Sequence, residues 1–384
     1  MRKDIMGSHD YVQTLKGQKL RFPDFDRLLR DWPRGISPHY EALKKIHDEE
    51  LTQLLGPGSK RLEAAIAGEL ILCSSVIPMP PYMVSDIGAA EFSLNAATWW
   101  PNSSFDAVRF ASYLVAWLYV WDNETDSPEF NQDVSLNWEA GEKFRAETLE
   151  HIRAYLADNN TPGGGGQKEI PRAEQISSAL ASFNPVGEPA AFRMTRGQRM
   201  LFMHQLLRFV QATGSEQRSE QSGVAPTIDE YLPTRMGTSG VESISACIEY
   251  MVNVDLGDYL RADPDVQTIY AENNCIISMM NDAFSLRREL RFPFYNNALA
   301  VLYHEYQDLQ AAMDQTYEIV KASVRRLDSA AERLLERYPD RRADLEAFIA
   351  GAKTMCTGNI EWSIRNKRYN LGLSKCDGTT EIVI

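Results

Sequence analysis

Asn281-Asp282-Ala283-Phe284-Ser285-Leu286-Arg287-Arg288-Glu289 is the stretch from which the rest of the chain can be read. On a helix, Asn281, Ser285 and Glu289 recur every four residues and share one face. Helical side chains lean toward the N-terminus, so the long Glu289 reaches back toward Asn281 and Ser285. Amide oxygen, hydroxyl and carboxylate then converge as an all-oxygen donor set, which suits a hard cation such as Mg²⁺. Arg288, beside the last of them, is a donor for an anion held next to that metal. Taken singly, each residue reads as part of a polar stripe on a solvated helix. The complete pattern points to a metal and a phosphate-bearing substrate.

A partner for this face lies upstream, where an apolar run ends in Tyr119-Val120-Trp121-Asp122-Asn123-Glu124-Thr125-Asp126-Ser127-Pro128. Asp122 and Asp126 share a helix face that Val115 and Tyr119 continue. Pro128 biases Ser127 away from helix, which ends the helix just after Asp126. Two carboxylates at a helix C-terminus are unfavourable with the helix dipole and repel each other unless a cation bridges them. That placement argues for a role outside folding.

Together these stretches resemble class I terpene synthases of the fungal sesquiterpene type. Asn-Asp-x-x-Ser-x-x-x-Glu, with a basic residue before the Glu, is similar to that family's second metal motif. Asp122-Asn123-x-x-Asp126 is similar to its Asp-rich motif, with Asn123 replacing the usual second acid. Arg235, in Tyr231-Leu232-Pro233-Thr234-Arg235-Met236-Gly237-Thr238-Ser239-Gly240, corresponds to the diphosphate-sensing arginine, on a helix that breaks near Ser239-Gly240. Arg368-Tyr369 resembles the pair that closes over the diphosphate. The resemblance covers roughly residues 90 to 370.

It implies an all-α, single-domain bundle with a central active-site cavity: an N-terminal arm over 1–35, the bundle over 36–370 and a tail over 371–384. It implies Asp122, Asp126, Asn281, Ser285 and Glu289 as metal ligands, with three Mg²⁺ ions. Arg235, Arg288, Arg368 and Tyr369 would bind the diphosphate of an isoprenoid substrate. The reaction implied is Mg²⁺-dependent ionisation of farnesyl diphosphate and cyclisation to a sesquiterpene hydrocarbon or alcohol. A carbocation left in an apolar pocket needs water excluded and aromatic faces nearby. Tyr119 and Trp362 are the aromatic candidates, with Trp99 and Tyr113 behind them. A diterpene cyclase acting on geranylgeranyl diphosphate is the alternative. A prenyl-transferring synthase would carry a second Asp-rich motif where this chain has Asn281 to Glu289, and a silent binding protein would have lost a ligand.

The bulk numbers agree with an enzyme of this kind. The 384 residues are 44% hydrophobic, enough for a large core, and the formal net charge of −13 argues against nucleic acid or an anionic membrane as partner. Cys73, Cys247, Cys275, Cys356 and Cys376 are odd in number and widely spaced, which fits a reducing compartment and not a disulfide framework. The start lacks a signal-peptide core and the run from Phe110 to Trp121 is too short to span a bilayer, so a cytoplasmic location is expected. A homodimer is left open.

Helical periodicity is expected over about 39–55, 59–74, 82–100, 103–121, 134–158, 172–183, 190–213, 228–254, 264–290, 293–337 and 341–370. Thr161–Gly166 and Gly214–Gly223 read as flexible surface loops. No His pattern, nucleophile elbow or nucleotide fingerprint competes with the metal motifs.

Overall fold

The computed structural model describes residues 13–46, 91–126, 128–158, 178–290 and 296–384, without the side chains of 126, 128–130 and 178. The helix expected at 59–74 and the Thr161–Gly166 loop lie outside the described residues, as do Cys73 and parts of the helices expected at 39–55, 82–100 and 172–183. Numbered over the described residues, the helices begin with α1 (Phe25–Leu28), α2 (Phe92–Trp99), α3 (Phe105–Asp126), α4 (Pro128–Leu136) and α5 (Trp138–Leu156). Next come α6 (Ser178–Ala181), α7 (Asn184–Arg193), α8 (Arg196–Ser222), α9 (Ile228–Thr238), α10 (Val241–Ser245) and α11 (Ile248–Met251). The series ends with α12 (Gly257–Arg261), α13 (Pro264–Glu289), α14 (Ala298–Tyr306), α15 (Leu309–Arg337) and α16 (Arg342–Arg365). The fold is all-α, as the sequence implies. No helix among the described residues is long and apolar enough to cross a membrane.

Helix α13 is the axis of the assembly. Its N-terminus is fixed by the Asp263 carboxylate, which accepts from Asp265 N at 2.8 Å, and by Pro264 in the first turn. Such a cap is worth about 1 kcal/mol. Ile269, Ile276, Met279, Met280, Phe284 and Leu286 are all buried. A helix buried on so many sides is surrounded by others, and α13 packs against α9, α10, α14, α15 and α16. That position carries the 281–289 stretch into the interior.

The N-terminal arm packs on this axis. Phe22 and Phe25 lie 5.0 and 6.2 Å, ring to ring, from Phe284. Burying each contributes roughly 1.5–3 kcal/mol. One feature was not expected: β1 (Lys19–Arg21) pairs antiparallel with β2 (Glu381–Val383), so the two chain ends hold each other in a short ribbon.

The expected helices at 134–158 and 190–213 are each split in two, at Asn137 and at Met194-Thr195, and four further boundaries differ from the sequence expectation. Residues 214–222 are not a surface loop; α8 runs through Gly214 to Ser222 and ends at Gly223, whose φ of +67° suits glycine. Its polar side chains find partners on α4 and α5: Gln217 Nε2 donates to the carbonyls of Val134 and Ser135, and its Oε1 accepts from Arg145. The span 228–254 is three short helices, the first break lying at Gly240 with φ +71°, as the Ser239-Gly240 pair suggested. The span 293–337 divides at Gln307, in the left-handed region at φ 55°, where Asp308 caps a new helix. The last helix stops at Arg365, not 370, because Asn366 leaves the helical region and its side chain folds back onto Trp362 O at 2.8 Å.

Candidate active site

The end of α13 faces the C-terminal half of α9. Arg235, on α9, donates through Nε to Asp282 Oδ1 at 3.0 Å and through Nη2 to Asn281 Oδ1 at 2.9 Å. Tyr231, one turn earlier on α9, donates its hydroxyl to Asp282 Oδ2 at 2.7 Å, and Ala298 N donates to the same oxygen at 2.9 Å. Asp282 is fully buried, and that burial lifts its carboxyl to about 6 even though Arg235 pulls it down. Burial works against the charge on Arg235 in turn, but Asp282, Tyr231 and Glu289 outweigh it and hold the guanidinium firmly charged.

The short C-terminal turn enters from the other side. Asn366 Oδ1 accepts from Tyr369 N at 3.1 Å, which folds the segment back after α16. Tyr369 is thereby buried, and its hydroxyl accepts from Asn281 Nδ2 at 2.7 Å. Sequence spacing placed Trp362 and Tyr369 together on one helix. They do meet, edge to face at 5.6 Å, but through this turn. Trp362 also lies 6.4 Å from Tyr119, and Phe92 on α2 lies 5.3 Å from Tyr119. The Arg368 guanidinium sits over the Tyr119 ring, 4.7 Å from its centre. Of the two other aromatic candidates, Trp99 is buried and Tyr113 pairs with Arg109.

Asp122 closes the arrangement from the end of α3. Partly exposed at its surface, it is still walled in enough that burial raises its carboxyl to about 6; Arg235, Arg368 and Arg288 act downward on it and Glu289 upward. The two motifs, far apart in sequence, therefore share one electrostatic neighbourhood. Helix α3 is described to Asp126; Ser127, on which the expected break falls, lies outside the described residues, as does the Asp126 side chain.

The donors fit a hard cation. Ser285 Oγ is buried and has no hydrogen-bond partner among the described residues, an arrangement that ordinarily marks an absent water or ion. It lies between Asn281 and Glu289 on α13. Among the described residues no group of three or more His, Cys, Asp or Glu is arranged to hold a metal. A metal here would draw instead on the Asn281 amide, the Ser285 hydroxyl and the Glu289 carboxylate, with Asp122 in the same electrostatic neighbourhood.

Sequence reasoning missed Asp282 as a hub, Tyr231, Asn297 and Glu216. Tyr231 had a signal, since it precedes Arg235 by one turn on the same face. Asn297 had one too, as an asparagine heading an apolar run. Glu216 had none. It is buried on α8, accepts from Thr238 Oγ1 at 3.2 Å, and is raised to about 8 chiefly by burial, with Glu220 adding to it.

The family model described as terpene synthase family 2, C-terminal metal binding, matches residues 113–326. Among curated relatives, the sesquiterpene cyclase hepA of Aspergillus oryzae is 24% identical over 379 residues, covering 96% of this chain and 95% of that one. A germacrene A synthase of Nostoc punctiforme is 23% identical over 284 residues, covering 73% of this chain and 81% of that one. The crystal structure of germacradien-4-ol synthase from Streptomyces citricolor shares the fold, with a TM-score of 0.64 at 18% identity over 86% of this chain and 95% of that one. The matched segment spans more than half the sequence and takes in Asp122, Arg235 and all of Asn281–Glu289, and the chain belongs to the terpene synthase family.

Proposed function

We propose that this chain is a sesquiterpene cyclase that ionises farnesyl diphosphate and closes the resulting carbocation to a cyclic hydrocarbon or alcohol, releasing diphosphate. The observation that carries the proposal is the convergence of Asp122 with Glu289, Arg235, Arg288 and Arg368. It is supported by curated relatives named as sesquiterpene cyclases and synthases. The ribbon tying residues 19–21 to 381–383 supports treating the chain as one structural unit.

Asn281, Ser285 and Glu289 would hold Mg²⁺ on one side, and Asp122 and Asp126 on the other; three ions are proposed by family resemblance. When bound, the ions neutralise the departing diphosphate and so lower the barrier to breaking its C–O bond. Arg235, Arg288 and Arg368 supply further positive charge around the leaving group, aided by the Tyr369 hydroxyl. Arg235 is held for this by Asp282, whose Oδ1 meets both Nε at 3.0 Å and Nη2 at 2.8 Å, while Nη2 also donates to Asn281. That contact takes one of the two lone pairs of the amide oxygen proposed as a metal ligand, and the other stays open to the ion. The Tyr119 face, which accepts the Arg368 cation in this structure, is suited to a carbocation once Arg368 turns to the diphosphate. Phe92 and Trp362 flank that ring and exclude water.

The test is incubation of the purified chain with farnesyl and geranylgeranyl diphosphates, with and without Mg²⁺, followed by identification of volatile products. A cyclic sesquiterpene formed only with Mg²⁺ and farnesyl diphosphate is expected. Absence of Mg²⁺-dependent diphosphate release from either substrate overturns the proposal, and turnover of the longer substrate alone moves it to diterpenes.

A further inference from the structure

Asn297 lies just past the 281–289 stretch, is 2% exposed, and uses every polar atom of its side chain. Its Oδ1 accepts from Leu299 N at 2.9 Å, which caps α14. Its Nδ2 donates to Asp282 O at 2.8 Å and to Glu289 Oε2 at 2.9 Å. The orientation of the amide is dictated chemically. Reversed, it would set a carbonyl against a carboxylate and an NH₂ against an N–H, breaking all three bonds. The next residue, Ala298, donates its N–H to Asp282 Oδ2. The first turn of α14 therefore grips two points of α13 seven residues apart, which lie on one face.

Resting on the metal site proposed above, we propose that Asn297 is a positioning residue. It fixes the Glu289 carboxylate for the metal and joins that ligand, through Asp282, to the arginine that meets the diphosphate. Helix capping alone does not ask for asparagine here. Asp or Ser caps as well or nearly so, but Asp has no hydrogen to donate and Ser has one on a shorter arm. Only an amide caps α14 while donating twice into α13. Ligating carboxylates are commonly oriented in this way, and losing the outer partner weakens metal binding without removing a ligand.

Asn297→Asp separates this role from capping, because it keeps the size and the cap while removing both donors and adding charge beside Glu289. The full-length variant is compared with wild type by Mn²⁺ binding in the presence of inorganic diphosphate, followed by electron paramagnetic resonance, and by the Mg²⁺ dependence of diphosphate release. The expected result is Mn²⁺ binding weaker by roughly 10- to 100-fold, with turnover recovered at raised Mg²⁺. Mn²⁺ affinity equal to wild type overturns the proposal, as does an activity loss that raised Mg²⁺ leaves in place. A wild-type chain that binds no Mn²⁺ with diphosphate overturns the metal site itself, and this role with it. If N297D melts early, the combination with Glu289→Gln decides: metal loss that does not deepen when N297D is added supports the contact, and additive losses overturn it.

Discussion

At the end of α13, Asp282 receives hydrogen bonds from Arg235, Tyr231 and Ala298 N, and Glu289 is held by Asn297. At the end of α3, Asp122 meets the same arginine charge, yet no hydrogen bond reaches its carboxylate among the described residues. Both aspartates sit at about 6, and both owe the rise first to burial. The difference lies in what offsets it. One wall of the site is assembled by protein bonds before any cation arrives. On the other, the carboxylate is offset by arginine charge without a hydrogen bond among the described residues, which leaves its oxygens open to a cation from outside. On this view α13 supplies position and α3 supplies affinity.

Substitutions on the two walls should then behave differently, and Asp122→Asn is the strongest test. Turnover should fall on the order of 10³-fold or more, since the loss is of charge facing the leaving group's counter-ions. Stability without metal should be unchanged or higher, because a desolvated carboxylate that no hydrogen bond reaches among the described residues is gone. Diphosphate release assays paired with melting curves measure both, and a clear destabilisation would mean that α3 is as pre-built as α13. Asp282→Asn should give the opposite profile. It leaves the Arg235 guanidinium without its main counter-charge in a buried site, and breaking such a pair costs about 3–5 kcal/mol. Urea unfolding should show that loss, and an Asp282→Asn chain as stable as wild type would break the comparison. Ser285→Ala falls between them. Its hydroxyl is buried without a partner among the described residues, so removal should leave stability level or raise it by up to about 1 kcal/mol. Turnover should nevertheless drop about tenfold or more, a loss of at least roughly 1.4 kcal/mol in the transition state.

What could be read from the sequence was whatever a single helix repeats. Asn281, Ser285 and Glu289 are four residues apart, and Tyr119 with Asp122 and Asp126 follow the same geometry, so their faces were legible. Arg235 and Arg368 came from resemblance in order and spacing, and both lie beside Asp122. Contacts made across chain reversals were not legible. Asn297 meets Glu289 and Asp282 only because α14 turns back on α13. Residues 214–222 looked like loop because their polarity implied water, whereas Gln217 and Arg145 satisfy one another in the interior. Arg368-Tyr369 was expected on a continuing helix and instead reaches the site by the turn that Asn366 stabilises. Local periodicity carries no information about such partners.

Glu216 tests how far the burial that raises Asp122 and Asp282 extends, with the smallest expected effect. It lies on α8 and faces Thr238, with Arg235, Asp122 and Glu220 acting on it electrostatically. Its carboxyl stands at about 8 against an ordinary 4.5, so near neutral pH the folded chain keeps a proton that the unfolded chain has released. Stability therefore falls as pH rises across that window, by at most about 1.4 kcal/mol per pH unit. Glu216→Gln is nearly the same neutral, hydrogen-bonding group at pH 7, so turnover there should change little. The slope contributed by residue 216 disappears, and the variant should become progressively more heat-stable than wild type from pH 5 to pH 8. Metal-free melting curves across that range measure it. Parallel curves would mean that Glu216 is ionised in the folded state and belongs with the bonded wall around Arg235.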